Sequence, residues 1–109
     1  MSTNESKITQ EELDKLEATH GRIAHLRGKG GTWEIVLRKP NRAEYKQFRS
    51  RSNNPELAPD AQEQLARQCV VYPSRDAFDA LLEEWPAIPE AASKAFSNLM
   101  GLAVEADSK

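Results

Sequence analysis

Residues 22–38 read Arg22-Ile23-Ala24-His25-Leu26-Arg27, then Gly28-Lys29-Gly30-Gly31, then Thr32-Trp33-Glu34-Ile35-Val36-Leu37-Arg38. Two runs rich in β-branched and aromatic residues flank a glycine-rich centre, which predicts a β-hairpin over about residues 22–38. Trp33, Ile35 and Leu37 alternate onto one face, and Glu34, Val36 and Arg38 onto the other. An isolated hairpin is marginal in water, so this one requires helices, a further strand or a second copy on its apolar face.

The flanking sequence supplies helices. Upstream, Ile8-Thr9-Gln10-Glu11-Glu12-Leu13 is a capping box with a hydrophobic staple, and Gly21 closes the helix that follows. Downstream, Pro40 ends the strand and Asn41 with Glu44 forms a second capping box, followed by Tyr45 and Phe48 at i, i+3. Asp60 with Glu63 repeats the capping signature before Ala61, Leu65, Ala66, Cys69 and Val70, a helical spacing that continues to Tyr72. Pro73 stops that helix and Ser74 caps the next, whose stripe is Phe78, Leu81, Leu82 and Trp85. A last helix is expected from about Pro89 to near Ala103, with Ala92, Ala95, Phe96, Leu99 and Met100 along one side.

The predicted fold is therefore α+β and mainly helical: one N-terminal helix, a small antiparallel hairpin, then four helices. Residues 1–8 are expected to be disordered, 9–104 to form one domain with its helical part over about 41–104, and 105–109 to fray. At 109 residues, 39% hydrophobic and 29% charged, the chain has the composition of a single globular domain. No apolar run approaches the ~20 residues that span a bilayer. The polar start Met1-Ser2-Thr3-Asn4-Glu5-Ser6 predicts no secretory signal, and a lone cysteine fits a reducing compartment, so a cytoplasmic location is expected.

Charge is unevenly spread. Residues 22–51 carry nine basic against two acidic side chains; residues 56–109 carry four basic against ten acidic. That pattern suits two halves that attract each other or another copy, or a nucleic-acid surface on the hairpin through Arg27, Lys29, Trp33, Arg38 and Arg42.

A catalytic or metal site is not expected. One Cys and two His fall short of a four-ligand zinc site. Cys69 lies on a helix stripe, where a thiol behaves as a small hydrophobe. Gly28-Lys29-Gly30-Gly31 lacks the P-loop ending and the following helix, and its glycines suit positive φ in a turn. Glu83 and Glu84 are adjacent and do not face each other on a helix. No cofactor is implied.

Three segments resemble the tail assembly chaperones of long-tailed bacteriophages and prophages: Glu34-Ile35-Val36-Leu37-Arg38-Lys39-Pro40-Asn41-Arg42-Ala43-Glu44-Tyr45; Leu65-Ala66-Arg67-Gln68-Cys69-Val70-Val71-Tyr72-Pro73; and Phe78-Asp79-Ala80-Leu81-Leu82-Glu83-Glu84-Trp85-Pro86, with the helix that ends Asn98-Leu99-Met100-Gly101. They occur in the family's order across about residues 33–101. The resemblance implies a small non-enzymatic protein that binds the long apolar tape-measure protein, or another tail protein, and keeps it soluble during tail assembly, with self-association a possibility. Leu81, Trp85, Phe96, Leu99 and Met100 are the stripe residues suited to such a partner. Two other functions are compatible with the residues: a nucleic-acid-binding accessory or regulatory protein using the basic hairpin, and a small phage inhibitor of a host protein.

Overall fold

Thr9 and Asn41 fix the starts of two helices by the same device. The Thr9 hydroxyl accepts from the Glu12 amide and the Glu12 carboxylate accepts from the Thr9 amide; Asn41 and Glu44 do likewise. Helix α1 then runs Gln10–His20 and is closed by Gly21 at φ +83°, while α2 runs Arg42–Ser52. Between them lie strands β1 (Ile23–Arg27) and β2 (Glu34–Arg38) in antiparallel register, Ile23 opposite Arg38 and Arg27 opposite Glu34. A single 3-10 turn, Lys29–Gly31, joins them, with Gly30 and Gly31 at φ +71° and +75°. Gly28 is required for a different reason: a Cβ there would collide with the indole of Trp33.

This computed structural model describes residues 8–101. The remaining elements are α3 (Ala58–Cys69), β3 (Val70–Tyr72), α4 (Arg75–Glu84) and α5 (Ile88–Leu99). Among the described residues four helices thus follow the hairpin and one precedes it, an α+β, mainly helical fold. Among the described residues, no helix is long and apolar enough to cross a membrane.

The structure corrects several details of the sequence reading. The helix expected to reach Tyr72 ends at Cys69; Val70-Val71-Tyr72 turns extended and pairs with β2, giving a three-stranded sheet in the order β1-β2-β3. Val36 was placed on the exposed face, but it is fully buried because β2 has become the central strand, flanked by His25 and Tyr72. Asp60 and Glu63 do not cap α3. The helix begins three residues earlier, at Ala58, with Pro59 in its first turn, where an amide hydrogen is not needed. The last helix stops at Leu99, and Gly101 at φ +79° turns the chain away. Ile8, assigned to a disordered start, is buried, and its amide donates to Glu34 Oε1 at 3.1 Å. The expectations for residues 1–7, 102–104 and 105–109 lie outside the described residues.

The core lies where α3, α4 and α5 meet one face of the sheet. Ile35, Leu37, Leu65, Phe78, Ile88 and Phe96 form its centre, with Cys69 fully covered among them. Helix α5 packs on both α3 and β1; α2 packs on α3. The chain therefore presents α5 with a helical neighbour on one flank and the outer strand on the other.

Candidate functional site

A cleft of about 390 Å³ opens between the start of α2, helix α3 and the end of α5. Its apolar wall is Tyr45, Phe48, Leu65, Phe96 and Met100, and its basic rim is Lys39 and Arg42. The Tyr45 and Phe48 rings stand 6.4 Å apart at 31°, and the Arg49 guanidinium lies over Tyr45 at 5.9 Å from the ring centre. One flank of Tyr45 is thus covered by Arg49.

The rim is held by a clamp built from the strand that precedes it. Arg38 donates to both Glu44 oxygens, at 2.8 and 2.7 Å, and also to the Gln68 carbonyl at 2.9 Å. Glu44 Oε1 accepts in addition the Asn41 amide at 2.9 Å. One carboxylate thus joins the end of β2 to the start of α2, while the guanidinium reaches the last turn of α3. The Arg38 hydrogen bonds, together with the Asn41 amide, hold the Glu44 carboxyl below its ordinary value against the opposing effect of burial. The same hydrogen bond raises Arg38. Between these anchors, Lys39-Pro40-Asn41-Arg42 forms a fixed corner, with Pro40 buried and Lys39, Asn41 and Arg42 exposed.

Lys39, Arg42, Tyr45, Ser93 and Ser97 supply the ionisable and hydroxyl groups of the cleft lining. No Asp, Glu, His or Cys is among the described residues that line it. The Ser97 hydroxyl, which does line it, donates to the Ser93 carbonyl one turn back at 3.2 Å. Cys69 is buried, and burial pushes its thiol up to about 12, far from the thiolate a nucleophile requires. Among the described residues no group of three or more His, Cys, Asp or Glu side chains is placed to hold a metal.

The residues singled out in the sequence fall in different places. Phe96 and Met100 line the cleft, joined by Arg42 from the basic set. Leu81 and Trp85 pack partly buried against the core, as Met100 also does, but do not line the cleft. Leu99 is buried and faces a second groove beside β1. Arg38 is not an open basic residue, being consumed by Glu44 and Gln68. Arg27 lies 3.6 Å from Glu34, which also contacts His25 Nε2 at 2.5 Å. Trp33 packs partly buried against the core, and Lys29 is exposed on the turn. The basic hairpin is therefore neutralised in part by Glu34 and Glu44, and no single surface gathers all five residues. Tyr45, Phe48 and Leu65 were read as helix stripes alone. Their place in a cleft was signalled only by the proximity of Tyr45 to the exposed Lys39–Arg42 corner.

A family model described as a domain of unknown function, DUF6848, matches residues 19–109. A solved structure of the uncharacterised protein rbstp2171 from Bacillus stearothermophilus is similar, with a TM-score of 0.71 at 20% identity, covering 89% of this chain and 99% of that one. That likeness is one of fold. No curated protein matches the chain.

Proposed function

We propose that this chain, which belongs to the DUF6848 family, is a non-enzymatic binding protein that seats an apolar helical segment of a partner protein in the cleft between α2, α3 and α5. The observation that carries this reading is convergence. The three segments that resemble phage tail assembly chaperones are distant in sequence, yet each contributes to this cleft: Lys39, Arg42 and Tyr45 from the first, Leu65 from the second, Met100 from the end of the third. The chemistry of the lining supports the same reading. Aromatic rings and a methionine accept apolar side chains spaced along one helix face, and methionine adapts to several shapes. Lys39 and Arg42 select a helix that carries acidic residues beside its apolar stripe. The partner is a tape-measure protein or another tail protein, kept soluble until assembly.

The test is co-expression with a tape-measure protein, taken from the neighbourhood of this gene if that neighbourhood encodes one. The wild-type chain is expected to hold that protein in the soluble fraction as a stoichiometric complex, and Met100→Asp or Tyr45→Asp to lose it while remaining folded. A tape-measure product equally insoluble with and without the chain would overturn the reading, as would capture that both variants retain.

A further inference from the structure

Among the described residues, strand β1 has a second strand on one side only, and its outer edge is regular. The Lys39 amide donates to the Arg22 carbonyl and the Gly28 amide to the Trp33 carbonyl, at 3.0 and 2.9 Å. Both pairs fit the β1–β2 register, so Arg22, Ala24, Leu26 and Gly28 spend their main-chain groups on β2. Ile23, His25 and Arg27 therefore direct N–H and C=O away from the sheet. The opposite edge is defended: β3 has three residues, its pairing is irregular, and Pro73 follows it. β1 has five residues and neither proline nor irregular pairing.

Beside this edge lies a groove of about 760 Å³ between β1 and α5, floored by Ala24, Leu26, Ala91 and Ala95, with Glu90 and Lys94 on the helix above. We infer that this edge is the contact surface for a second copy of the chain, whose β1 pairs antiparallel with the first to make a six-stranded sheet.

Self-complementarity commits the edge to that occupant. Centring the pair on His25 brings outward main-chain groups of both copies together at Ile23, His25 and Arg27. Ala24 then lies opposite Leu26 of the second copy, so the apolar face continues across the junction. The two-fold axis runs perpendicular to the sheet and sets the two α5 helices antiparallel on the same face. Glu90 and Lys94, both exposed and one turn apart, then meet Lys94 and Glu90 of the second copy with opposite charge. This contact uses a different flank of α5 from the cleft and does not depend on the cleft reading.

Sedimentation of the full chain over a concentration series tests it. The molar mass is expected to rise from 12.2 kDa toward twice that value. Lys94→Glu, which sets like charges opposite each other at two symmetric contacts, weakens the dimer by roughly tenfold. The exchange E90K with K94E restores it to within about threefold, since the pairs are re-formed in reverse. His25→Pro, which removes an outward amide while leaving every β1–β2 bond its donor, abolishes it. Hydrogen exchange at the Ile23, His25 and Arg27 amides slows as the dimer forms. A molar mass that stays at 12.2 kDa at every concentration overturns the inference. So does a dimer unmoved by Lys94→Glu, or one that the charge exchange does not restore.

Discussion

Toward α2 and α3, helix α5 and its C-cap turn Phe96 and Met100; toward β1 the helix and its N-cap turn Ala87, Ala91 and Ala95, with Glu90 and Lys94 beside them. One flank is large, soft and rimmed by lysine and arginine. The other is small, so that strand and helix leave open main chain between charges of both signs. On the two proposals made above, one helix serves two kinds of recognition. Bulky adaptable side chains suit a foreign apolar helix, whereas small side chains with balanced charge suit a copy of the same edge. Both depend on the buried residues of the helix, Ile88, Pro89, Ala92, Ala95, Phe96 and Leu99.

Removing that shared root should abolish the contrast altogether. Phe96 is nearly fully buried and lines the cleft as well, so Phe96→Ala is expected to cost about 3–5 kcal/mol in urea denaturation and to impair both surfaces together. Breaking the clamp should act on one side only. Arg38→Met leaves the Glu44 carboxylate and the Gln68 carbonyl without their donor, and about 1–2 kcal/mol of stability should be lost. Partner capture should weaken through the loosened Lys39–Arg42 corner, with dimerisation unchanged. Met100→Asp sharpens the distinction further. It lies at the cleft margin but packs partly buried against the core, so stability should fall by about 1 kcal/mol while partner capture is lost.

Titration gives the smallest effects. Glu44 has a folded value below its ordinary 4.5, so its contribution is present above pH 4.5 and is lost as pH falls through the folded value. The acid limb of a stability–pH curve should flatten in Glu44→Gln. Cys69 is shifted upward, from 9.0 to about 12, so its contribution is intact below pH 9 and disappears progressively toward pH 12. Cys69→Ala should remove that alkaline slope. In the wild-type chain, iodoacetamide at pH 8 should label Cys69 far more slowly in buffer than in urea.

The elements were legible wherever a local signal decided them. Both capping boxes, the Ser74 cap, the Gly21 stop and the positive-φ glycines of the hairpin are statements about neighbours a few residues apart, and they stand as read. β3 was not legible from helical spacing, because Cys69 and Val70 continue a stripe that Ala61 and Leu65 begin. What decides the switch is the open edge of β2, a partner more than thirty residues away in sequence. Its one local trace is the β-branched pair Val70-Val71 with Tyr72 ahead of proline. The burial of Val36 follows from β3 and was missed with it. The cleft was only half legible. Phe96, Met100 and Arg42 could be nominated from stripe and charge, but Leu81 and Trp85 carry the same pattern and are spent on packing. Helical periodicity identifies an apolar face without identifying which neighbour covers it.

The Arg38–Glu44 clamp also constrains how such a sequence can drift. Glu44 closes a capping box, receives a bidentate guanidinium and anchors the cleft rim, so no single replacement preserves all three roles: glutamine keeps the cap but not the charge, and aspartate is one methylene short. Arg38 is bound by the same logic through the end of α3. The two positions form one inherited unit, to be kept or surrendered together. Relatives that have lost one without the other should have rebuilt the corner between strand and helix, and with it the mouth of the cleft.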